Sequence, residues 1–349
     1  MMHRFFWAFI LLLVQLAPAQ VQAGTQRVFV LHSYDASHVC GQPQHAGVVR
    51  ALRDSGIDQR QLIIDSWAMD TKTTYTTPAQ IESQAQIALE KINAFNPDVL
   101  VTLDDNAFRT VALKLLDTDL PIVFSGMNNL PERYNAQGLW LESRQKPGHN
   151  ITGVYEKIHF VSALRVQRQI QPQLKKIQVF SDYSPTGKAL VRQIRQELKS
   201  TALPGIEVEF FISDSWEAYQ SAVTAADHSD ADALYPVALR LTDRQGKTRV
   251  ASEILSWTAR NSNKPSIPLN FAFVKLGLFG GAGVDFDAMG YQAGKQVVKI
   301  LQGASAGDLP VEDAERFALV FHTARAEQLG ISIPDSILLA ADVVYKDGL

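Results

Sequence analysis

The chain has 349 residues, with 36 Asp+Glu against 33 Lys+Arg for a net charge of −3, and a single cysteine, Cys40. A slightly acidic chain offers no basic field for nucleic acid or an anionic membrane surface, and one cysteine excludes an intrachain disulfide. The length exceeds the ~250–300 residues that one hydrophobic core usually serves, so two lobes stabilised by packed cores are expected.

At the N-terminus, His3 and Arg4 precede an apolar run from Phe5 to Leu16 (FFWAFILLLVQL), broken only by Gln15, and Val21-Gln22-Ala23 offers a small-residue cleavage site before Gly24. This layout predicts a secretory signal peptide over residues 1–23, the run being shorter than the ~20 apolar residues of a spanning helix. No Cys follows the run to carry a lipid. Removal would leave 326 residues with 32 Lys+Arg against 36 Asp+Glu. The expected product is a soluble, periplasmic monomer, not membrane-embedded and without a cofactor.

A strand-then-helix rhythm follows. Arg27 to Leu31 (RVFVL) is a β-branched run ending at His32-Ser33-Tyr34-Asp35, and Gln61 to Ile64 is a second, ending at Asp65-Ser66-Trp67. Ile81, Ala85, Ala88 and Ile92 recur at helical spacing before Asn96-Pro97-Asp98. Val99 to Leu103 runs into Asp104-Asp105-Asn106, and Ile122 to Phe124 into Ser125-Gly126-Met127-Asn128-Asn129. After about residue 150 the rhythm restarts. Ile177 to Phe180 ends at Ser181-Asp182-Tyr183-Ser184-Pro185-Thr186-Gly187, a Leu190/Ile194/Leu198 stripe follows, and Val208–Ile212, Ala233–Tyr235 and Ile267–Asn270 continue the series. Such alternation predicts βαβ units around buried parallel sheets, one set per lobe. Pro147-Gly148-His149-Asn150 reads as a hinge, with Gly280 to Gly283 and Gly303 to Pro310 as further flexible stretches.

In parallel α/β sheets, ligands bind beyond the carboxyl ends of the strands. That rule selects Ser33, Tyr34, Asp35, Asp104, Asp105, Asn106, Ser125, Gly126 and Asn128 from the first lobe. Asp182, Ser184, Thr186, Gly187, Tyr235 and Asn270 face them from the second. Ser, Asp and Asn before helices also serve as N-caps, so the set, rather than any one residue, argues for a cleft. The predominance of acids favours a ligand with an amine or several hydroxyls over a simple anion, unless Arg240 points into the cleft and reverses that balance.

The succession VFVLHSYDASH, NPDVLVTLDDNAFR, PIVFSGMNN, NITGVYE, SDYSPTGKAL, GLFGGAGVDFDAMGYQAGKQVVKILQG and TARAEQLGISIPDSILLAAD resembles the solute-binding components of ABC transporters. More narrowly, it resembles the branch that includes tryptophan- and other aromatic amino-acid-binding proteins, whose relatives also occur as extracellular sensors. The resemblance implies the type I periplasmic-binding fold: two Rossmann-like lobes joined by three crossovers, closing on a ligand by hinge motion. It implies lobe one over 24–150 plus about 282–305, and lobe two over 151–281 plus about 306–349. Aromatic amino-acid binders of this branch carry an acid just after the strand matching Ala233 to Tyr235, where this chain reads Tyr235-Pro236-Val237-Ala238.

The expected function is capture of a small polar ligand, an amino acid or related amine, for delivery to an ABC permease. Two alternatives stay open: a ligand-sensing partner of a membrane signalling protein, and a metal-binding protein using His38, Cys40 and His45. That H-x-C-x4-H run carries zinc- or copper-type donors but matches no common structural zinc spacing. Catalysis finds no support, because Ser33 and Ser125 lack an identifiable base and Gly280 to Gly283 lacks the phosphate-loop pattern.

Overall fold

The computed structural model describes residues 24–346, and the expected signal segment lies outside them. The first lobe opens with β1 (Gln26–His32), α1 (Gly41–Asp54), β2 (Leu62–Ala68), α2 (Pro78–Phe95), β3 (Val99–Leu103), α3 (Asp104–Thr110), β4 (Ile122–Met127) and β5 (Ile151–Tyr155). The second continues with α4 (Phe160–Ile170), β6 (Lys176–Ser181), α5 (Pro185–Ser200), β7 (Glu207–Ile212), α6 (Trp216–Asp227) and β8 (Ala233–Pro236). A hairpin, β9 (Arg240–Thr242) and β10 (Thr248–Val250), leads into α7 (Ala251–Asn261) and β11 (Gly280–Val284). The chain ends with α8 (Phe286–Leu301), β12 (Glu312–Asp313), β13 (Phe317–His322), α9 (Thr323–Gln328), α10 (Asp335–Leu339) and β14 (Val343–Tyr345).

Local chemistry sets these elements. α2 starts at a reciprocal capping box between Thr77 and Gln80, with Pro78 in its first turn, and stops at left-handed Asn96. α5 starts where the Ser184 hydroxyl accepts from the Gly187 N–H. β3, β4 and β5 are buried at every residue, as expected of central parallel strands covered on both faces. The first sheet is parallel in the order β12-β5-β4-β3-β1-β2. In the second lobe, β7-β6-β8 form a parallel set. Residues 266–270 tie it to β11-β13-β14 through Ile267 N–H donating to Leu234 O at 2.8 Å and Val284 N–H to Leu269 O at 2.9 Å.

The pairing moves the lobe boundaries expected from sequence. β5 pairs with β4 in register from Ile122↔Ile151, so residues 151–155 belong to the first sheet, as does β12. Pro147 to Asn150 is likewise internal to the first lobe: Gly148 N–H donates to Gly307 O, and the Asn150 amide is held by Leu115 O and Leu120 O. Gly280 to Gly283 is a buried strand rather than a flexible stretch. Its glycines answer geometry, with φ of +123° and +138° at Gly280 and Gly281 and the Phe321 backbone against Gly280.

The chain crosses between lobes three times, at residues 156–159, at Asp285 and at 314–316. His159, left-handed at φ +55°, donates from Nε2 to Ala314 O at 2.9 Å and so joins two crossovers. Gln193 of α5 donates to Glu156 O at 3.0 Å and to Asn128 O at 3.1 Å, and Arg192 reaches Asn129 Oδ1 at 2.6 Å.

After the second crossover α8 packs directly on α1. A Cβ at Gly290 would collide with the Gln44 carbonyl, one at Gly47 with the Asp287 carbonyl, and one at Gly294 would lie 2.6 Å from the Ala51 Cβ. Gly290→Ala should lower the unfolding free energy by about 1–3 kcal/mol, the range for overpacking a close contact. Chemical denaturation checks this, with Gly138→Ala as control, since a Cβ there meets only the Leu116 Cδ2 at 3.7 Å.

Candidate ligand-binding cleft

Between the lobes lies a cavity of about 1100 Å³. Tyr34, His38, Cys40, Lys72, Asp104 and Asn128 line it from the first lobe, Glu156 from a crossover, and Thr186, Arg240, Asn270, Phe271 and Phe273 from the second. Leu239, Leu276 and Phe286 extend the apolar wall.

Two carboxyls form the polar floor. Asp104 follows β3 with φ +65° and is 3% exposed. A non-glycine residue in the left-handed region is uncommon and tends to mark functional positions. Its Oδ1 receives only a long 3.4 Å bond from the Gln44 amide, and its Oδ2 is buried without a partner. Glu156 is equally buried, and its carboxyl meets no hydrogen-bond or ion-pair partner among the described residues. Burial pushes Asp104 up to about 7, with Lys72 opposing and Asp105 adding to the rise. Burial, then the charges of Asp104 and Asp105, pushes Glu156 well above the usual carboxylate range.

Around this floor the other titratable groups are neutral or at the rim. The Cys40 thiol is pushed up by burial. His38 is lowered to about 4 by burial and then Lys72; its ring lies 4.6 Å from that of Tyr34 and its Nδ1 accepts from Cys40 N–H. The Lys72 ammonium sits over the Tyr34 ring, 4.4 Å from its centre.

Of the residues selected from sequence, Tyr34, Asp104, Asn128, Thr186 and Asn270 line the cavity together. The others are absorbed into the fold. Ser33 donates from its hydroxyl to Leu103 O at 2.6 Å and accepts from Ala107 N–H at 2.7 Å. Asp35 accepts from the Ser37 hydroxyl and N–H. Asp105 clamps the loop after β4, accepting from Asn128 N–H, Asn129 N–H and the Tyr134 hydroxyl. Asn106 bonds Thr71 and Arg109. Ser125 is buried within the sheet, and Gly126 makes a register irregularity where a Cβ would fall 2.6 Å from the Gln44 amide oxygen. Asp182 accepts from Ser184, Leu239 and Arg240 N–H groups. Ser184 caps α5, and Gly187 packs on Asp182. Tyr235, expected at a ring-binding wall, is fully buried with its ring 4.8 Å from that of Phe160.

Sequence reasoning passed over Glu156 and Lys72. Glu156 ends NITGVYE, and the strand-end rule reaches it once residues 151–155 are read as a strand. Lys72 carries no such signal. The metal alternative does not assemble: His45 Nδ1 faces His32 Nε2 at 2.9 Å, His38 turns to Tyr34, and no group of three His, Cys, Asp or Glu among the described residues has metal-holding geometry.

Two lobes of parallel α/β units, three crossovers and an interlobe cleft define a type I periplasmic-binding fold. The chain belongs to the ABC transporter substrate binding protein family, whose model matches residues 35–345. It is similar to a tyrosine-binding protein of Clostridioides difficile strain R20291, 26% identical over 206 residues, which covers 58% of this chain and 55% of that protein. Among solved structures, it is similar to an ABC domain from Streptococcus pneumoniae in complex with L-Trp (TM-score 0.67, 23% identity, 92% of this chain and 100% of that one). It is also similar to the ligand-free, open form of a substrate-binding protein with adhesive properties from Clostridium difficile (TM-score 0.69, 20% identity, 92% and 100%).

The unpartnered Asp104 has a stability consequence. Between the unfolded carboxylate value of 3.8 and about 7, the folded chain keeps a proton that the unfolded chain has lost. The contribution to stability is therefore complete below 3.8 and lost as pH rises through about 7. Asp104→Asn keeps a residue tolerant of the left-handed backbone and removes the charge. The ligand-free variant should melt above the parent at pH 8, with the gap closing toward pH 4, as thermal denaturation across that range would show.

Proposed function

We propose that the protein captures a small solute carrying a cationic amine, an amino acid or related amine, and acts by binding rather than catalysis. The lobes close on the solute about the three crossovers, and after export the loaded protein delivers it to an ABC permease. The observation that carries this reading is the unpartnered, buried Oδ2 of Asp104, a residue that lines the cavity together with Glu156. Burying a carboxylate without a partner is costly, and an ammonium placed against it removes that cost. The aromatic and aliphatic wall opposite suits the apolar body of such a ligand. The named ligands of the similar proteins, tyrosine and L-Trp, combine an amine with an apolar ring. Among the described residues no helix is long and apolar enough to cross a membrane, as delivery by a diffusing carrier requires.

A thermal-shift screen against amino acids, amines, sugars and nucleosides tests the ligand class. A specific binder stabilises the folded state by ~2.7 kcal/mol at a hundredfold excess over its dissociation constant. Amine-bearing solutes should produce the shift, and a shift confined to sugars or nucleosides would refute the reading.

With the ligand found, affinity should fall as pH is lowered from 8 to 6. Asp104, raised to about 7, must lose its proton before it can hold a cation. Glu156 adds to this in the same direction, while burial keeps His38 neutral and the Cys40 thiol protonated across that range. Asp104→Asn should weaken binding by about tenfold or more and flatten the profile, the scale for a charged hydrogen bond. Calorimetry at several pH values measures both.

A further inference from the structure

We infer that the protein carries a second small-molecule site behind the hinge, which takes a neutral, hydroxyl-rich solute whose binding opposes lobe closure. The coupling to capture rests on the closure proposed above; the site itself does not. A cavity of about 710 Å³ lies between the lobes apart from the cleft. Along residues 155–157 the chain alternates between the two cavities, Tyr155 and Lys157 lining this one and Glu156 the cleft. Successive side chains of an extended segment point to opposite sides, so the two cavities flank the first crossover. Lobe one contributes Glu132 and Arg144, and lobe two contributes Ser162 and Arg165 of α4 with Gln196 and Glu197 of α5.

The charges lining this cavity cancel. Arg144 lies 2.6 Å from Glu132 and 2.7 Å from Asp313, and Lys157 lies 3.6 Å from Asp313. One lining cation, Arg165, and one lining acid, Glu197, are left without an ion pair among the described residues. Glu197 Oε2 accepts the Val161 N–H at 3.0 Å, while its Oε1 is buried without a hydrogen-bond partner. Tyr155 is 4% exposed, and its hydroxyl is likewise buried and unpartnered. Ser162, Gln196 and Thr201 add side chains that both donate and accept. Donors and acceptors intermixed on an electrically balanced wall suit hydroxyls, each of which does both, better than a lone ion that must be desolvated.

The two walls are separately braced. Arg144 staples Glu132 to Asp313 in the first lobe, and Glu197 ties α5 to the start of α4 in the second. No hydrogen bond or ion pair among the described residues joins Glu132 or Arg144 to α4 or α5. A solute bonded to both walls supplies that link. Rotation about the crossovers that narrows the cleft draws these walls apart, so the bridged arrangement resists closure. By linkage, a cleft solute lowers the affinity of the second site by the same factor.

Saturation-transfer NMR and calorimetry on the exported chain test the site with sorbitol, D-glucose and trehalose, against sulfate and glycine betaine as anionic and zwitterionic rivals. At least one of the three hydroxylated solutes should bind. Tyr155→Phe, which removes only the unpartnered hydroxyl, should weaken it about fivefold or more, the scale of one neutral hydrogen bond. Lys199→Gln, exposed on α5 outside both cavities, should leave it within about twofold. Both variants should keep the parent's cooperative unfolding. The bound solute should also weaken the cleft solute found by the thermal-shift screen about fivefold or more, levelling off at saturation. A loss that grows without limit is competition in the cleft and overturns the inference, as does binding lost in Asp104→Asn but kept in Tyr155→Phe. Binding of sulfate or glycine betaine alone overturns the solute class, and no binding by any of the five compounds overturns the site. An unchanged cleft affinity, or a screen that yields no cleft solute, overturns the coupling.

Discussion

The contact between α1 and α8 is the constraint on which the cleft depends. Two helices more than two hundred residues apart in sequence approach through Gly47, Gly290 and Gly294, close enough that a single added carbon would strike backbone. Gln44 stands at the centre of this contact. Its carbonyl abuts Gly290, its side-chain amide presses on Gly126, and the same amide gives Asp104 its one long hydrogen bond. The packing that returns the second crossover to the first lobe thus also sets the position of the principal acid in the cavity. A displacement of α8 would move the floor of the site through Gln44.

Three acids at strand ends show how little residue type alone decides. Asp104 and Asp105 are adjacent, yet Asp105 accepts three hydrogen bonds from the loop after β4 and Asp104 is left with one weak bond. Asp182, at the matching place in the second lobe, is consumed by the turn before α5 and by the chain leading into the hairpin. Satisfied acids of this kind stiffen the walls, whereas the unsatisfied one is free to serve a ligand. Asp104 sits in a left-handed turn in the cavity wall, while Asp105 reaches across to the loop after β4.

The strand–helix rhythm and the polar strand ends were readable from sequence because apolar β-branched runs and turn residues are local signals. Tyr34, Asp104, Asn128, Thr186 and Asn270 were reachable by that route. The partition of the remaining candidates was not, because it depends on which N–H groups lie within reach of each side chain after folding. Tyr235 looked like a binding aromatic and is core, since the strand carrying it turns that face toward Phe160. Gly280 to Gly283 reads as flexible by composition, but there glycine serves close packing against β13 and a positive-φ strand. Glu156 escaped because residues 151–155 were assigned to the wrong lobe, and so its position at a strand end was hidden.

In the proposed capture Glu156 would tie binding to motion. Its carboxyl lies in the cavity, while its carbonyl, on the crossover itself, accepts from Gln193 of the second lobe. Gln193 simultaneously holds Asn128 O in the first lobe, and Asn128 is fixed in turn by Asp105. A cation drawn against Glu156 would therefore act on a crossover residue whose carbonyl is held by the Gln193 amide. A ligand bound only by Asp104 would have no such purchase, because β3 is a central strand of a rigid sheet. Differential affinity for the closed state is what shifts the population of lobe arrangements. In the proposed capture that differential would reside in the pair, Asp104 supplying a fixed point and Glu156 a point on the crossover.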